Sequence, residues 1–469
     1  MAAVPSSSSS STRPSLPQLP NGEGDEPPNW VLLDILGYIA ECPNATFAES
    51  STSSGHRIQV SFYTARPPNV SHFCVHCPGV KPSEYLMAPK VISAEANLIL
   101  FCLSVTPYAC FNPRYRDYFL YRAHPRNPSL DLLPHPYPNS FGDQEVALLS
   151  FDGDGDEYAV AALTSRCDTV ALQEDDTLNE TEFDLHLYRS SKAQEGWTSK
   201  VLSVAQPRRD ILCPVDRGLY HETTKVIVLG RGSLAMVGWV DLWRGILVCN
   251  VLQENPVLHD ILLPPPARGN WALYHKCRPY IIRDVTVSLL KDSIKYIEME
   301  VCPPVVDPGD PPASYANWFR QKPREWQCRT PCVGWRATTW ILSISNVTSA
   351  KWNIKCTFDI ADVTVDPMHS ELLPKPSSIN DNPSEASLQC LVIGFPTMSM
   401  DEDVVYMLSK ACPMGSMEVV IAIDMKKKKV QGVAKLVTGK DFTYTRNCTS
   451  EVSKYLSEDK AQVKLDEQT

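Results

Sequence analysis

Short apolar, β-branched runs recur along this chain from Trp30 to Leu436, each bounded by Pro, Gly, Asp, Asn or Ser. Runs of that length between turn residues predict strands. They sort into groups. The first holds Trp30–Ile39, Arg57–Thr64 and Val70–Cys77; the second holds Leu98–Val105, Tyr118–Tyr121 and Leu130–Leu133. The third holds Val146–Phe151, Tyr158–Leu163, Phe183–Tyr188 and Trp197–Val204, and the fourth Lys225–Leu229, Gly238–Leu242, Ile246–Leu252 and Val257–Leu262. The fifth takes Val285–Leu290, Ile294–Val301, Ala337–Ile344 and Ile354–Ile360, and the last Leu388–Gly394, Val404–Leu408, Val419–Asp424 and Val430–Leu436. Groups of up to four strands, recurring roughly every 50–75 residues, predict blades rather than one sandwich. Each blade has an apolar face that it cannot bury alone, so stacking around an axis supplies the core. The expected fold is all-β and β-propeller-like, with about six blades of antiparallel strands in one domain over residues 29–437. In a closed ring the Trp30–Ile39 strand pairs with the first or last blade.

The ends read differently. Residues 1–28 form a low-complexity leader, with Ser6 to Ser11 uninterrupted, which cannot bury enough apolar surface to order. Residues 438–469 read as a charged tail, loosely helical toward the end. Pro303–Pro323 and Val365–Glu385 read as surface insertions.

Composition narrows the function classes. Prolines number 39 against 21 glycines, which suits many short strands and excludes long helices. The net charge of −10 leaves no basic face for a phosphate backbone, so no nucleic-acid partner is expected. The one dense basic run, Lys426-Lys427-Lys428-Lys429, falls in a predicted hairpin turn. No continuous apolar segment is long enough to span a bilayer, so no membrane partner is expected either. The 16 cysteines are spread through strand-like runs, which reads as reduced thiols in the cytoplasm or nucleus. An acid-free, Ser- and Ala-rich start offers a plastid transit peptide as the alternative, against which stands its single arginine.

Each chemical motif meets a plainer reading. Cys74-Val75-His76-Cys77 and Cys328-Arg329-Thr330-Pro331-Cys332 have zinc-ligand spacing, but a strand sends Cys74 and Cys77 to opposite faces. Asp152-Gly153-Asp154-Gly155-Asp156 resembles half a calcium loop, yet Glu157 and Leu163 occupy the places that need glycine and glutamate. Gly230-Arg231-Gly232 follows a strand as in a dinucleotide fingerprint, but Gly238-Trp239-Val240-Asp241-Leu242-Trp243 comes too soon for the helix that would receive a pyrophosphate. Leu32-Leu33-Asp34-Ile35-Leu36 resembles the start of an F-box, and a strand follows too quickly. His72, His76, His186, His221, His259 and His275 stand singly. These readings assign no catalytic residue, no metal ligand and no cofactor.

The most distinctive block is Trp239-Val240-Asp241-Leu242-Trp243-Arg244-Gly245. Alternation places Trp239, Asp241 and Trp243 on one face. They serve either as a ligand platform or as a structural anchor, with aromatics covering blade surface while Asp241 accepts backbone or Arg244 hydrogen bonds. Together with Asn29-Trp30-Val31-Leu32-Leu33-Asp34, Phe73-Cys74-Val75-His76-Cys77-Pro78-Gly79 and Asp403-Val404-Val405-Tyr406, the block resembles the plant, grass-expanded family called domain of unknown function 1618. The resemblance covers residues 29–437 and departs from the family pattern at Leu234-Ala235-Met236-Val237. It implies a fold and no activity. The function expected is a non-enzymatic scaffold with a protein partner. The alternative is a propeller enzyme or small-ligand binder using carboxylates and histidines in a central channel.

Overall fold

The computed structural model describes residues 27–81, 84–85, 87–105, 116–151, 157–166, 181–207, 209, 220–273, 277–301, 334–344, 351–375, 388–411, 416–436 and 447–456. These build six small, mainly antiparallel sheets arranged as a six-bladed β-propeller.

The first sheet contains β1 (Val31–Asp34), β2 (Tyr38–Ile39), β3 (Ala48–Ser51), β4 (Arg57–Tyr63) and β5 (Val70–His76). The second is β6 (Lys90–Glu95), β7 (Leu98–Leu103), β8 (Asp117–Arg122) and β9 (Ser129–Leu132). The third is β10 (Val146–Ser150), β11 (Tyr158–Ser165), β12 (Glu182–Arg189) and β13 (Thr198–Ser203). The fourth is β14 (Lys225–Leu229), β15 (Met236–Asp241), β16 (Gly245–Cys249) and β17 (His259–Leu262). The fifth is β18 (Arg283–Val287), β19 (Ser293–Val301), β20 (Trp335–Ser343) and β21 (Asn353–Asp359), and the sixth is β22 (Val392–Met398), β23 (Val404–Lys410), β24 (Val419–Asp424) and β25 (Lys429–Lys435). A last strand, β26 (Asn447–Ser450), returns to the first sheet.

Alternation along a strand explains how the sheets stack. Successive side chains point to opposite faces, and in the middle strands both faces are apolar. Leu98, Leu100 and Cys102 of β7 pack with the third sheet, while Ile99, Phe101 and Leu103 pack with the first. The same division holds around the ring. Each of six apolar clusters is shared by two neighbouring sheets, the last joining Trp30 and Leu32 to Val404, Tyr406, Leu408 and Val420 of the sixth. A core split this way needs every neighbour present.

Both ends of the described chain close the ring. β1 lies between β5, which it pairs in parallel, and β26, which it pairs antiparallel from Val31↔Ser450 to Asp34↔Asn447. The Trp30 indole donates to Asp401 Oδ1 at 2.8 Å, and Ser453 Oγ donates to the Pro28 carbonyl at 2.7 Å. The tail boundary at 437 is therefore corrected. Residues 447–450 are a strand of the first sheet, and Val452 is buried in the cluster between the first two sheets.

Other expectations need smaller corrections. The Trp30–Ile39 run is two strands, because residues 35–37 leave β5 to meet the start of β6, where Gly37 N–H donates to the Pro89 carbonyl at 2.8 Å. Residues 388–390 form a 3-10 turn, and β22 instead runs on through Pro396 past a register shift between Gly394 and Thr397. Residues 367–370 in the second expected insertion form a short helix. The leader to residue 26, the 303–323 insertion and the chain after 456 lie outside the described residues.

Candidate functional site

The signature block sits at the β15–β16 hairpin. Gly245 must be glycine, since a Cβ there would stand 2.6 Å from the Ile261 carbonyl oxygen of β17. Trp239 is wholly buried between the third and fourth sheets, and its indole donates to the Glu145 carbonyl at 2.8 Å. Trp243 does not share that face. β15 ends at Asp241, and the turn carries Trp243 into the cluster between the fifth and sixth sheets, where the Arg283 guanidinium lies 4.6 Å from its ring centroid.

Asp241 organises the turn. Its Oδ1 accepts from the Trp243 and Arg244 backbone N–H groups at 3.0 and 3.2 Å, and its Oδ2 accepts from Arg244 Nη1 at 2.7 Å and Glu222 N–H at 3.1 Å. Behind it lies a buried network that the sequence did not reveal. Arg209 grips Asp260 through Nε and Nη2 at 3.0 and 2.9 Å, and its Nη1 meets His221 Nδ1 at 2.8 Å. Tyr220 Oη donates to Asp260 at 2.6 Å, and His221 Nε2 meets Thr223 Oγ1 at 3.0 Å. A second fully buried pair joins Arg283 to Glu298 at 2.7 Å, with Asn270 also donating to Glu298 at 2.8 Å.

Charge fixes the protonation in this network. Burial holds the His221 pKa well below 6.5, and the neighbouring Arg209 lowers it further. Burial alone would raise the Asp241 carboxyl, but Arg244, His221 and Arg209 together bring it below the ordinary carboxylate value. Both shifts act with one sign: the unfolded chain binds protons that the folded network refuses, so stability falls with acidity. The His221 contribution is lost progressively below pH 6.5. Asp241 adds its loss only within the carboxylate range. His221→Asn should therefore flatten the pH dependence of the urea midpoint just below 6.5, and an unchanged slope would contradict this assignment.

The second site is the axial channel, a cavity of about 1590 Å3 lined by β2, by the inner strands β6, β14, β18 and β22, by Val146 at the start of β10, and by β26. Where the inner strands begin, Asp143 accepts from Lys90 at 2.8 Å and from Arg116 at 2.6 Å, and Lys225 pairs with Asp284 at 2.8 Å. Where they end, Lys291 pairs with Glu95. Those two residues belong to the fifth and second sheets, which face each other across a six-bladed ring, so their bridge crosses the axis.

The other singled-out residues are scattered. Cys74 and Cys77 are both buried; among the described residues no three His, Cys, Asp or Glu side chains are placed to hold a metal ion. His72 stacks on Tyr63, His186 bonds Ser199 at 2.8 Å, and among the described residues no histidine lines the channel. Gly230 and Gly232 adopt positive φ in the turn between antiparallel β14 and β15, whose register runs from Leu229↔Met236. Lys426–Lys429 form the β24–β25 hairpin turn and its edge, and Leu32–Asp34 lie in β1. His275, Cys328, Cys332 and Asp152–Asp156 lie outside the described residues. Among the described residues no helix is long and apolar enough to cross a membrane.

Against known proteins, the model of a family described as "Protein of unknown function (DUF1618)" matches residues 239–406, beginning at Trp239 and lying inside the span read from sequence. No curated protein matches. Solved structures that align with this chain include an α-L-arabinofuranosidase from Fusarium graminearum bound to an iminosugar inhibitor, at 6% identity and TM-score 0.27, covering 88% of this chain and 87% of that one. Trypanosoma rangeli sialidase in complex with the inhibitor DANA aligns at 10% identity and TM-score 0.29, over 94% of this chain and 63% of the sialidase. A levansucrase from B. megaterium aligns at 9% identity and TM-score 0.26, over 87% and 93%. At that level of likeness no property of those enzymes transfers to this chain.

Proposed function

We propose that this protein is a non-enzymatic interaction scaffold, a closed ring that presents hairpin loops to a protein partner inside the cell. The observation that carries the reading is a pair of leucines on touching hairpins. Leu234, before β15, is 79% exposed and Leu290, before β19, is 74% exposed. Gly230 N–H donates to the Lys291 carbonyl and Arg231 Nη2 to the Leu289 carbonyl, each at 3.3 Å, which holds the two hairpins together. Apolar side chains beside an arginine suit the core of a protein interface, where arginine is enriched. The buried, unbridged thiols at Cys77, Cys102 and Cys249 fit a reducing compartment, cytoplasm or nucleus.

A channel enzyme fits less well, because Asp143, Asp284 and Glu95 are each committed to a lysine or arginine. Trp239, Asp241, Trp243, Arg244 and Gly245 act as a structural anchor in this reading, supported by the burial of both indoles. The test is affinity capture with purified bait. A chain carrying Leu234→Asp and Leu290→Asp should keep its melting temperature and lose the protein that wild type retains. An unchanged set of captured proteins, or none captured by wild type, would overturn the reading.

A further inference from the structure

We propose that the axial channel is a binding site for a small organic oxyanion, entered from the mouth at which the inner strands begin. This goes beyond the scaffold reading and does not rest on it.

The first observation is shape. The cavity of about 1590 Å3 exceeds the usual small-molecule pocket of about 300–1,000 Å3. It therefore holds a ligand together with bridging water. Its far end is crossed by the Lys291–Glu95 bridge, both side chains largely buried, so a polymer does not thread through.

The second is the arrangement of charge at the near mouth. Lys90 and Arg116 converge on Asp143, and Lys225 holds Asp284. The short 3-10 turn Asp143–Glu145 packs against β14, which brings the two groups side by side. In each group the cation reaches further into the open than its partner. Lys90, Arg116 and Lys225 are 30, 22 and 19% exposed, whereas Asp143 and Asp284 are 10 and 8% exposed. Within the Asp143 group two cations meet one carboxylate, so the field is locally positive there although Glu222 offsets it across the mouth, and low-dielectric walls strengthen that local field. A lysine has three donors and an arginine five. All three residues line the cavity, and the oxygens of an oxyanion accept from the donors their carboxylate partners leave over.

The third is the wall beyond the charges, which suits a carbon skeleton rather than a bare ion. Tyr280 and Phe395 stand with ring centroids 6.0 Å apart, and Tyr38 lines the same space. Two exposed carboxylates at this cavity oppose the anion, Glu41 and, three residues before Lys225, Glu222. Removal of Glu222 is the informative change, because a merely structural residue would not improve binding when lost.

Calorimetric titration of the full chain with citrate and, separately, glucose 6-phosphate tests the proposal. Wild type should bind at least one of them with one site per chain. Citrate alone points to a carboxylate ligand and glucose 6-phosphate alone to a phosphate ester; either supports the site. Arg116→Gln and Lys225→Gln should each bind roughly tenfold or more weakly, as expected when a charged hydrogen bond is lost. Glu222→Gln should bind more tightly, and Lys426→Gln, in the distant β24–β25 hairpin, should bind like wild type. If Arg116→Gln fails to fold, Lys225→Gln and Glu222→Gln decide. Failure of folded wild type to bind either probe would overturn the proposal. So would equal affinity in Lys225→Gln, Glu222→Gln and wild type.

Discussion

Replacing Trp239 with alanine should destabilise the protein by about 3–5 kcal/mol, the usual cost of deleting a large core aromatic. The indole is wholly buried between the third and fourth sheets, against residues such as Leu163, Phe183 and Leu247. Its loss also strips the Glu145 carbonyl of the 2.8 Å hydrogen bond that ties the start of β10 to β15. Trp243→Ala should cost a similar amount by another route, because it uncovers the buried Arg283 guanidinium. Equilibrium urea unfolding gives the magnitudes. Iodide should quench neither indole in the native state. Unchanged stability together with strong quenching would instead show that the block is a ligand platform.

A chain ended before Asn447 should lose cooperative folding. Without β26 the whole inner edge of β1 loses its antiparallel partner. Val452 also leaves the cluster between the first and second sheets. Five other blades cannot compensate, since each buries its faces only against its neighbours. A newly open strand edge invites pairing between chains, so aggregation below the wild-type melting temperature is the expected result. A truncated chain that remains monomeric and melts like wild type would contradict ring closure through β26.

The strands visible in the sequence were apolar, β-branched runs bounded by turn residues, whether buried like β24 or partly exposed like β14 and β13. Lys225–Leu229 and Val419–Asp424 occur as expected, because an apolar run between turn residues marks a strand. The strands that escaped notice were β3, β6 and β26, with sequences Ala-Glu-Ser-Ser, Lys-Val-Ile-Ser-Ala-Glu and Asn-Cys-Thr-Ser. Two of them line the channel and the third is an outermost strand, and their short, polar-interrupted sequences carry no hydrophobic alternation. The candidate site was legible for the same reason in part only. Trp239, Asp241 and Gly245 announced themselves by composition. Arg209, Asp260, His221, Arg283 and Glu298 are single charged or polar residues, far apart in sequence, and only the closed ring gathers them. Trp243 shows the limit of period-two reasoning: the strand ended two residues before it.

Ring closure is tested most directly by hydrogen exchange in the full-length chain, read on peptides covering 31–34 and 447–450. The two strands pair from Val31↔Ser450 to Asp34↔Asn447, so they should open together. Their amides should exchange slowly and with the same dependence on urea as the core strand β7. Fast exchange at 447–450 beside slow exchange at 31–34 would show that the last strand does not close the ring.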